Sequence, residues 1–353
     1  MVLPAETLKD IGIRLFAACG ASARDAETVA SELVEASLMG LDSHGVMRYA
    51  QYVDEVLAGT IQPKATPRIE RETATTAVVD CGSGFGIASA CRMVEIVIDK
   101  ARAADLACVV STRCQHVGRL GSYAQKVARA GLVGLAAANS SRQGHWVAPW
   151  GGREGRLATN PLAFAAPTSG DPLIVDMSTS MIAEGKIRIL KQNGAPVPPG
   201  SILDGNGNPT TDPNLFYAEP HGTILPFGSP TLGYKGFGLG LLVEILGSSL
   251  AGVPLTSAGG KSEYTNGLFL LAINPEPLAG PQGLRTLVDE LCAYVTSSRP
   301  APGHREVVVP GALDFRTRAR RLEEGIPVAE GTWREIERVA GRLSVTLPPV
   351  AGG

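Results

Sequence analysis

The chain has 353 residues, of which 44% are hydrophobic and 19% are charged, a composition typical of a globular protein with about two domains. A formal net charge of −2 gives no electrostatic basis for binding nucleic acid or an anionic membrane. No apolar run reaches the roughly 20 residues that span a bilayer, and the amphipathic N-terminus lacks the apolar segment of a secretory signal.

The six cysteines are thinly spread along the chain and form no C-x-x-C pair. Reduced, mostly buried thiols are the state that this spacing favours, so a cytoplasmic protein is expected. Cys114 lies two residues before His116, but no second cluster of metal-ligating residues accompanies this pair. No metal site is therefore predicted.

Hydrophobic residues recur at helical spacing near the start of the chain and predict three helices. The first helix includes residues 8–16 and ends near Gly20, which is a suitable C-cap. The second is predicted over residues 22–38, with Ser22 as its N-cap, and the third over residues 47–57.

Strands and helices alternate after Pro63. Apolar or β-branched runs predict the strands, and helical periodicity predicts the helices between them. The predicted strands are residues 73–79, 107–111, 132–138, 163–166, 173–175 and 268–273. The predicted helices are residues 88–104, 123–130, a long apolar helix from Lys235, 284–295, 315–324 and 332–343. This alternation indicates an α/β or α+β fold.

The segment from residue 192 to residue 230 differs in composition from the rest of the chain, because it is rich in Pro, Gly, Asp and Asn. This composition predicts an extended surface excursion with several turns. An excursion of this length in a compact domain is expected to be functional or to form an interface.

The loop after the second helix carries a histidine and an arginine within reach of each other. His44 lies in the sequence DSHG, and Arg48 follows four residues later, on the first turn of the third helix. Oxidation of an alcohol needs a base near neutral pH, and a substrate carboxylate needs a planar, two-pronged donor. The pair therefore predicts a hydroxy-acid site, and the alternative is a helix cap with an incidental histidine.

His116 lies in a glycine-rich loop, residues 115–121, directly after the strand at 107–111. Strand ends that open into such loops are preferred positions for ligands in α/β proteins. The backbone amides of residues 118–120 could face a phosphate at the start of the next helix, with Arg119 adding charge. A loop histidine satisfied by local hydrogen bonds is the alternative.

Three further segments suggest ligand contacts less directly. Residues 82–86 (GSGFG) do not fit the G-x-G-x-x-G fingerprint, and no acidic residue closes the next strand, so a simple turn is predicted. Asp176 follows one strand and precedes a predicted helix, so it could bind a ribose hydroxyl or cap that helix. Lys235 opens the long helix, where it could meet an anionic ligand or remain solvated.

Several ordered motifs between about Leu8 and Leu343 resemble the type-2 malate/L-lactate dehydrogenase family. They are LDSHGV at 41–46, HVG at 116–118, TNP at 159–161, DMS at 176–178, PTTDP at 209–213 and KGFGL at 235–239. Members of this family include ureidoglycolate, sulfolactate and diketogulonate oxidoreductases and cyclic-imine reductases. The segments at 116–121, 195–200 and 325–327 are similar to the bacterial hydroxycarboxylate dehydrogenase B branch.

The resemblance implies an α/β (α+β) fold with a non-Rossmann dinucleotide-binding domain, built on a large mixed, mainly antiparallel sheet. It implies a mainly helical domain from both chain ends, residues 1–72 and 308–353, and an NAD(P)-binding domain over residues 73–307. The cofactor is expected to be NAD or NADP. A homodimer with its active site between domains is also implied.

The same resemblance implies catalytic roles for four residues. His116 and His44 are joint candidates for the group that carries the catalytic proton. Ser43 matches the partner of His44 in a proton relay, or in a cofactor contact. Arg48 matches a contact with the substrate carboxylate.

Binding roles follow from the resemblance as well. Thr159 and Asn160 match a turn on the substrate side. The residues that match cofactor contacts are His44, Gly118, Arg119, Leu120, Ser140, Asp176, Met177, Ser178, Lys235, Asn266 and Arg305. One departure from the family pattern is the segment 265–268 (TNGL), where some relatives carry a histidine and this chain does not.

The predicted function is an oxidoreductase that transfers a hydride between NAD(P) and a small 2-hydroxy acid or 2-oxo acid. One alternative is an NAD(P)H-dependent cyclic-imine reductase acting on piperideine- or pyrroline-2-carboxylate, with the same proton donor and carboxylate contact. A non-catalytic dinucleotide-binding protein is a second alternative, from another class. The expected partners are a small-molecule substrate and a second copy of the chain, and neither nucleic acid nor a membrane.

Overall fold

The structure, a computed structural model, describes residues 1–141, 144–253, 266–279 and 281–348. Its helices are α1 (Ala5–Ala18), α2 (Ala23–Leu38), α3 (Arg48–Leu57), α4 (Gly86–Ala104), α5 (Gly121–Arg129), α6 (Glu184–Gln192), α7 (Pro213–Tyr217), α8 (Gly233–Gly247), α9 (Glu276–Ala279), α10 (Pro281–Thr296), α11 (Ala312–Glu324) and α12 (Glu330–Leu343). Its strands are β1 (Val2–Leu3), β2 (Arg68–Glu72), β3 (Thr76–Asp80), β4 (Leu106–Thr112), β5 (Val133–Ser140), β6 (Leu162–Ala166), β7 (Leu173–Met177), β8 (Ile202–Leu203), β9 (Pro209–Thr210), β10 (Thr223–Ile224), β11 (Asn266–Ile273) and β12 (Ile326–Pro327). None of the helices in these ranges combines the length and the apolar character that a bilayer crossing requires.

The described strands form one large sheet in the order β2-β3-β4-β11-β5-β6-β7. Only β3 and β4 run parallel, and the other neighbouring strands are antiparallel. The late strand β11 lies between β4 and β5 and pairs with both, so that Leu270 faces Val109 on one side and Ala136 on the other. The expected mixed, mainly antiparallel sheet outside the Rossmann pattern is confirmed.

Both faces of the central strands are covered. Val109 and Leu270 belong to the hydrophobic cluster that includes α4 and α5. Their chain neighbours Val110 and Phe269 belong to a second cluster, together with Val243 of α8. Successive side chains of a strand point to opposite faces, so the sheet is packed between helices on both sides. This burial explains why these strands read as continuous apolar runs in the sequence.

A helical cluster joins the two ends of the chain. Leu33 of α2 and Ile336 of α12 are fully buried in one core that also includes α1 and α3. The short strands β1 and β12 pair within it, with Leu3 opposite Ile326. Phe85, at the start of α4, packs into the same core and connects it to the sheet. The expected helical region from both chain ends is therefore confirmed.

The segment 192–230 lies largely at the surface and contains several turns, as expected, but it is not simply extended, because it also forms regular elements and contributes to a core. It contains α7 and the three-stranded sheet β10-β8-β9. Val197, Ile202 and Phe216 are buried in a hydrophobic cluster that they share with Val147 and Ile187, which lie outside the segment. Turns rich in Pro and Gly separate these apolar residues, so the composition of the segment did not predict that they would be buried together.

Candidate active site

A one-turn 3₁₀ helix, Asp42–His44, places Ser43 and His44 directly before α3. Ser43 Oγ lies 2.9 Å from His44 Nδ1. A Cβ at position 45 would overlap Ser37 Oγ, a side-chain oxygen of α2, so any larger residue there would force Ser37 to move. The turn is therefore held closely against the helical cluster, which fixes the two functional side chains.

Arg48 begins α3, and its side chain is held in place by neighbours on both sides. Its Nε donates a 2.7 Å hydrogen bond to the carbonyl oxygen of Ser43. Its Nη1 donates to Gln51 Oε1, and Gln51 Nε2 in turn donates to Glu55 Oε1 at 2.8 Å. Positions 48, 51 and 55 share one helix face, so the orientation of the guanidinium follows from helical spacing.

His116 is supplied by the loop between β4 and α5. Asn266 holds this loop, because its Oδ1 accepts a 3.0 Å hydrogen bond from Val117 N–H while its Nδ2 donates to Asn139 O at 2.8 Å. The loop also passes so close to α4 that a Cβ at Gly86 would overlap the carbonyl oxygen of Gln115. Asn266, predicted as a cofactor contact, thus positions the His116 loop.

The structure brings His44 and His116 together. Their imidazole rings are nearly parallel, at 18°, with centroids 6.0 Å apart. Burial, followed by the charges of Arg48 and Arg119, lowers the pKa of His44 from its usual 6.5 to about 4. Burial lowers the pKa of His116 well below 6.5, and Arg48 and His44 add to this effect. Both imidazoles are therefore neutral at pH 7 and able to accept a proton.

Tyr52 is a neighbour of His116 that the sequence reasoning missed. Its Oη lies 2.7 Å from His116 Nδ1, and the ring is 1% exposed. Burial raises the pKa of Tyr52 well above its usual value, so the hydroxyl keeps its proton. Tyr52 lies four residues after Arg48 on α3, and this spacing was the signal that could have identified it.

Asp176 caps a helix, but a different one from the helix expected. It lies within β7, and its Oδ2 accepts a 2.9 Å hydrogen bond from Gly121 N–H at the start of α5. The next helix along the chain begins only at Glu184, so the prediction that Asp176 leads directly into a helix was wrong. The same carboxylate oxygen lies 3.8 Å from Arg119 Nε, which balances its charge.

Arg119 fits a site for a polar or anionic ligand such as a dinucleotide. It is 5% exposed, and its Nη1 donates to Gln125 Oε1 at 2.9 Å. Its Nε and Nη2 are buried and have no hydrogen-bond acceptor among the described residues. Buried donors are normally paired, and because Nε already faces the Asp176 carboxylate, Nη2 is the nitrogen suited to a ligand oxygen. Gly118, which has a φ of +68°, and Leu120, the N-cap residue of α5, shape the same loop.

Asn160 lies in a buried polar network between the TNP turn and α8. Its Nδ2 donates 2.9 Å hydrogen bonds to Gly240 O and to Glu244 Oε2. Glu244 Oε1 accepts from Asn139 Nδ2 at 2.9 Å. The preceding residue, Thr159, accepts through its carbonyl oxygen a 2.9 Å hydrogen bond from Thr179 N–H. Glu244 and Asn139 support this turn, and neither was identified from the sequence.

The remaining predicted cofactor residues lie at several places. Met177 ends β7, and Ser178 Oγ donates to Ser180 O at 3.1 Å. Ser140 ends β5 opposite Asn266. Lys235 is exposed on the first turn of α8, and Arg305 is exposed and lines a surface groove of about 510 Å³ between α10 and α11.

The geometry agrees with the similarity of the chain to known proteins. The family model described as malate/L-lactate dehydrogenase matches residues 3–337. An L-lactate dehydrogenase of Cupriavidus necator is 35% identical, over 92% of this chain and 92% of its own. Hydroxycarboxylate dehydrogenase B of Escherichia coli O157:H7 is 33% identical, over 97% of this chain and 94% of its own. The crystal structure of delta1-piperideine-2-carboxylate reductase from Pseudomonas syringae has a TM-score of 0.82 and 28% identity, over 96% of this chain and 100% of its own. This chain belongs to the malate/L-lactate dehydrogenase family.

Proposed function

We propose that this protein is an NAD(P)-dependent 2-hydroxycarboxylate dehydrogenase that interconverts a small 2-hydroxy acid and its 2-oxo acid. The observation that carries the proposal is one cluster of two neutral imidazoles, His44 and His116, beside the fixed guanidinium of Arg48. A neutral imidazole accepts the hydroxyl proton of the substrate, and a guanidinium binds its carboxylate.

In this proposal Arg48 orients the substrate. Its Nε and Nη1 are held by Ser43 and Gln51, so that Nη2, which takes no part in those bonds, is presented to the carboxylate in a fixed direction. His116 takes the proton from the hydroxyl oxygen, and His44 with Ser43 forms the wall beside it. When bound, the nicotinamide supplies the redox chemistry by carrying the hydride.

The loop 118–120, the DMS segment 176–178 and Arg119 are proposed to hold the cofactor, supported by the buried Nη2 of Arg119, which has no acceptor among the described residues. Ser140, Asn266, Lys235 and Arg305 complete the proposed cofactor set, with Asn266 acting through the His116 loop. Either NAD or NADP is compatible with this proposal, and a 2′-phosphate would need a cation more exposed than Arg119, such as Arg305.

The test is the oxidation of NADH and NADPH, followed by absorbance, against a panel of 2-oxo acids. Turnover of a 2-oxo acid is expected, and the preferred cofactor is read from the same assay. His116→Ala is expected to abolish most turnover, by about 10²-fold or more, while cofactor affinity measured by fluorescence titration is retained. Normal turnover in this variant would remove His116 from the mechanism.

A second candidate activity is cyclic-imine reduction, which the similarity to delta1-piperideine-2-carboxylate reductase supports. The same carboxylate contact at Arg48 and the same proton donor would serve a C=N bond. Assays with a 2-oxo acid and a cyclic imino acid, run side by side on one preparation, distinguish the two. Turnover of the imine alone would replace the main proposal.

A homodimer is proposed from the exposed apolar surface of α8. Leu241, Leu242 and Ile245 are 42%, 44% and 55% exposed, and Phe227 and Tyr234 lie exposed before and at the start of this helix. Large apolar side chains exposed together on one helix are typical of a protein–protein contact. Sedimentation is expected to give a dimer for the wild type and a monomer for Ile245→Lys. The control is Leu322→Lys, at an exposed leucine of α11.

A cytoplasmic enzyme is proposed on the basis of its free cysteines.

A further inference from the structure

The Nδ1 atom of His116 is approached from two directions. Tyr52 Oη lies 2.7 Å from it, and Gly118 N–H donates to it over 3.4 Å. The same Tyr52 oxygen lies 3.5 Å from the carbonyl oxygen of His116. A tyrosine hydroxyl has one proton, which can rotate, and an oxygen that can accept. Two hydrogen-bond arrangements are therefore open to Tyr52 without any movement of heavy atoms.

We propose that the hydroxyl of Tyr52 is a positioning group that selects the tautomer of His116 and thereby lets its Nε2 act as the catalytic base. The proposal rests on the function proposed above, in which His116 carries the substrate proton. Tyr52 itself acts through the imidazole and is not placed against the substrate.

In the first arrangement Tyr52 donates its proton to Nδ1, in parallel with Gly118 N–H. A neutral imidazole that accepts at Nδ1 must carry its proton on Nε2. This form cannot take a proton from the substrate, because the lone pair of Nδ1 is engaged and Nε2 has none. The first arrangement is therefore the form of the site that cannot act as a base.

In the second arrangement the Tyr52 proton turns toward the carbonyl oxygen of His116, and Tyr52 Oη accepts from Nδ1–H. Nε2 then has a free lone pair. With a nicotinamide bound, Nε2 would take the substrate hydroxyl proton, the cofactor would accept the hydride of C2 with its bonding electron pair, and the C–O single bond would become a carbonyl. The resulting imidazolium keeps its Nδ1–H bonded to Tyr52. In the reverse reaction Nε2 returns this proton to the oxygen on C2.

The charges around the His116 imidazole explain why the Tyr52 hydroxyl is important for its protonation. Arg48 and His44 face His116 and oppose an imidazolium, and Gly118 N–H opposes a proton on Nδ1. Tyr52 in turn faces Arg48, Glu55 and Cys114, and burial keeps its pKa high, so the hydroxyl stays neutral. Tyr52 Oη is thus the acceptor that the Nδ1–H of a charged His116 can use among its described contacts.

The variant that tests the proposal is Tyr52→Phe, which removes only the hydroxyl. Its matched control is Tyr49→Phe on the same helix, because Tyr49 is equally buried and its hydroxyl donates a 2.9 Å hydrogen bond to Leu8 O, away from the site. Without Tyr52 Oη, the Gly118 N–H remains at Nδ1 and favours the proton on Nε2. Tyr49→Phe measures the general effect of removing a buried tyrosine hydroxyl from this helix.

The first readout is ¹⁵N NMR of histidine-labelled protein without substrate or cofactor, with the His116 signals assigned by their loss in His116→Asn. We expect wild type and Tyr49→Phe to show shifts averaged between the two tautomers, and Tyr52→Phe to show the Nε2–H form alone. The same tautomer populations in wild type and Tyr52→Phe would overturn the proposal, and this readout is independent of whether any panel substrate is turned over.

The second readout is steady-state kinetics on the substrate identified by the panel. Tyr52→Phe is expected to lower kcat about 100-fold in both directions while KM changes less than about 3-fold, since acid–base catalysis contributes on the order of 10²-fold or more. Tyr49→Phe is expected to keep the wild-type kcat. A Tyr52→Phe enzyme with unchanged kcat would overturn the proposal, whereas a wild type that turns over neither acid nor imine would overturn the proposed function.

Discussion

The side-chain amide of Asn160 donates a 2.9 Å hydrogen bond to Glu244 Oε2, linking the TNP turn to the last turn of α8. Glu244 is 8% exposed on a helix whose other charged residue is Lys235 at its start, and its other oxygen accepts from Asn139. A carboxylate in such a position is stabilised only by its partners. The three residues therefore act as one unit that joins α8, β5 and the turn.

Glu244→Ala is expected to lower the free energy of unfolding by about 2–4 kcal/mol, because one N–H of each asparagine amide loses its acceptor in the interior. Urea denaturation followed by circular dichroism measures the change. Glu323→Ala, at an exposed position of α11, is the control and is expected to change stability by less than about 0.5 kcal/mol. Equal stabilities of the two variants would contradict the role given to the network.

Gly86→Ala is expected to displace the His116 loop, because the new Cβ would overlap the carbonyl oxygen of Gln115. We expect kcat to fall at least about 10-fold and Tm to fall as well. The matched control is Gly341→Ala in α12, where a Cβ meets nothing within 4 Å. Because alanine favours helix over glycine, the control is expected to raise stability by about 0.5–1 kcal/mol and to leave kcat unchanged.

Arg48→Gln is expected to weaken binding of the acid substrate by removing the guanidinium that meets its carboxylate. A charge-assisted hydrogen bond contributes about 1.5–3 kcal/mol, so kcat/KM is expected to fall about 10- to 100-fold. Arg14→Gln removes an exposed arginine that pairs with Asp10, and it is expected to keep the wild-type kcat/KM. An Arg48→Gln enzyme with wild-type kcat/KM would place the carboxylate elsewhere.

The lowered pKa of His44 predicts a pH dependence of stability. Below pH 6.5 the unfolded chain protonates this imidazole and the folded protein does not, until the pH approaches about 4. The contribution of His44 is therefore fully present above pH 6.5 and is lost as the pH falls from 6.5 toward 4. The full shift would correspond to about 3 kcal/mol, and partial exposure reduces this to about 2 kcal/mol.

His44→Asn removes the titrating group, so the difference in unfolding free energy between the variant and the wild type isolates its effect. Relative to the wild type, the variant is expected to gain about 2 kcal/mol between pH 7 and pH 4. Chemical denaturation at a series of pH values measures this difference. A constant difference over the whole range would show that His44 is protonated equally in both states.

Local signals in the sequence were sufficient for much of the helical region and part of the site. Ser22 was predicted as the N-cap of α2, and its Oγ accepts a 3.1 Å hydrogen bond from Asp25 N–H. The placement of His44 next to Arg48 followed from their spacing around a helix start. Such features depend on residues close in sequence, for which spacing alone determines the geometry.

Features that depend on tertiary contacts were not found in this way. β2 was missed because four of its five residues are charged and all are exposed, so it lacks the alternation of a half-buried strand. Asp176 caps α5, a helix that is far from Asp176 in the chain. Asn266 reaches the His116 loop only because β11 lies between β4 and β5, which the sequence alone did not predict. The two-domain division, 1–72 with 308–353 and 73–307, stays a prediction.

The central position of β11 has a consequence for how this protein is made. On the ribosome, the strands up to β4 and the strands β5 to β7 emerge well before β11, and among the described strands no ladder joins the two groups until β11 arrives. Each group then presents an unpaired edge, the kind of surface that pairs with other chains. We expect the nascent chain to depend on chaperones until synthesis has passed residue 273, and truncations before that point to aggregate.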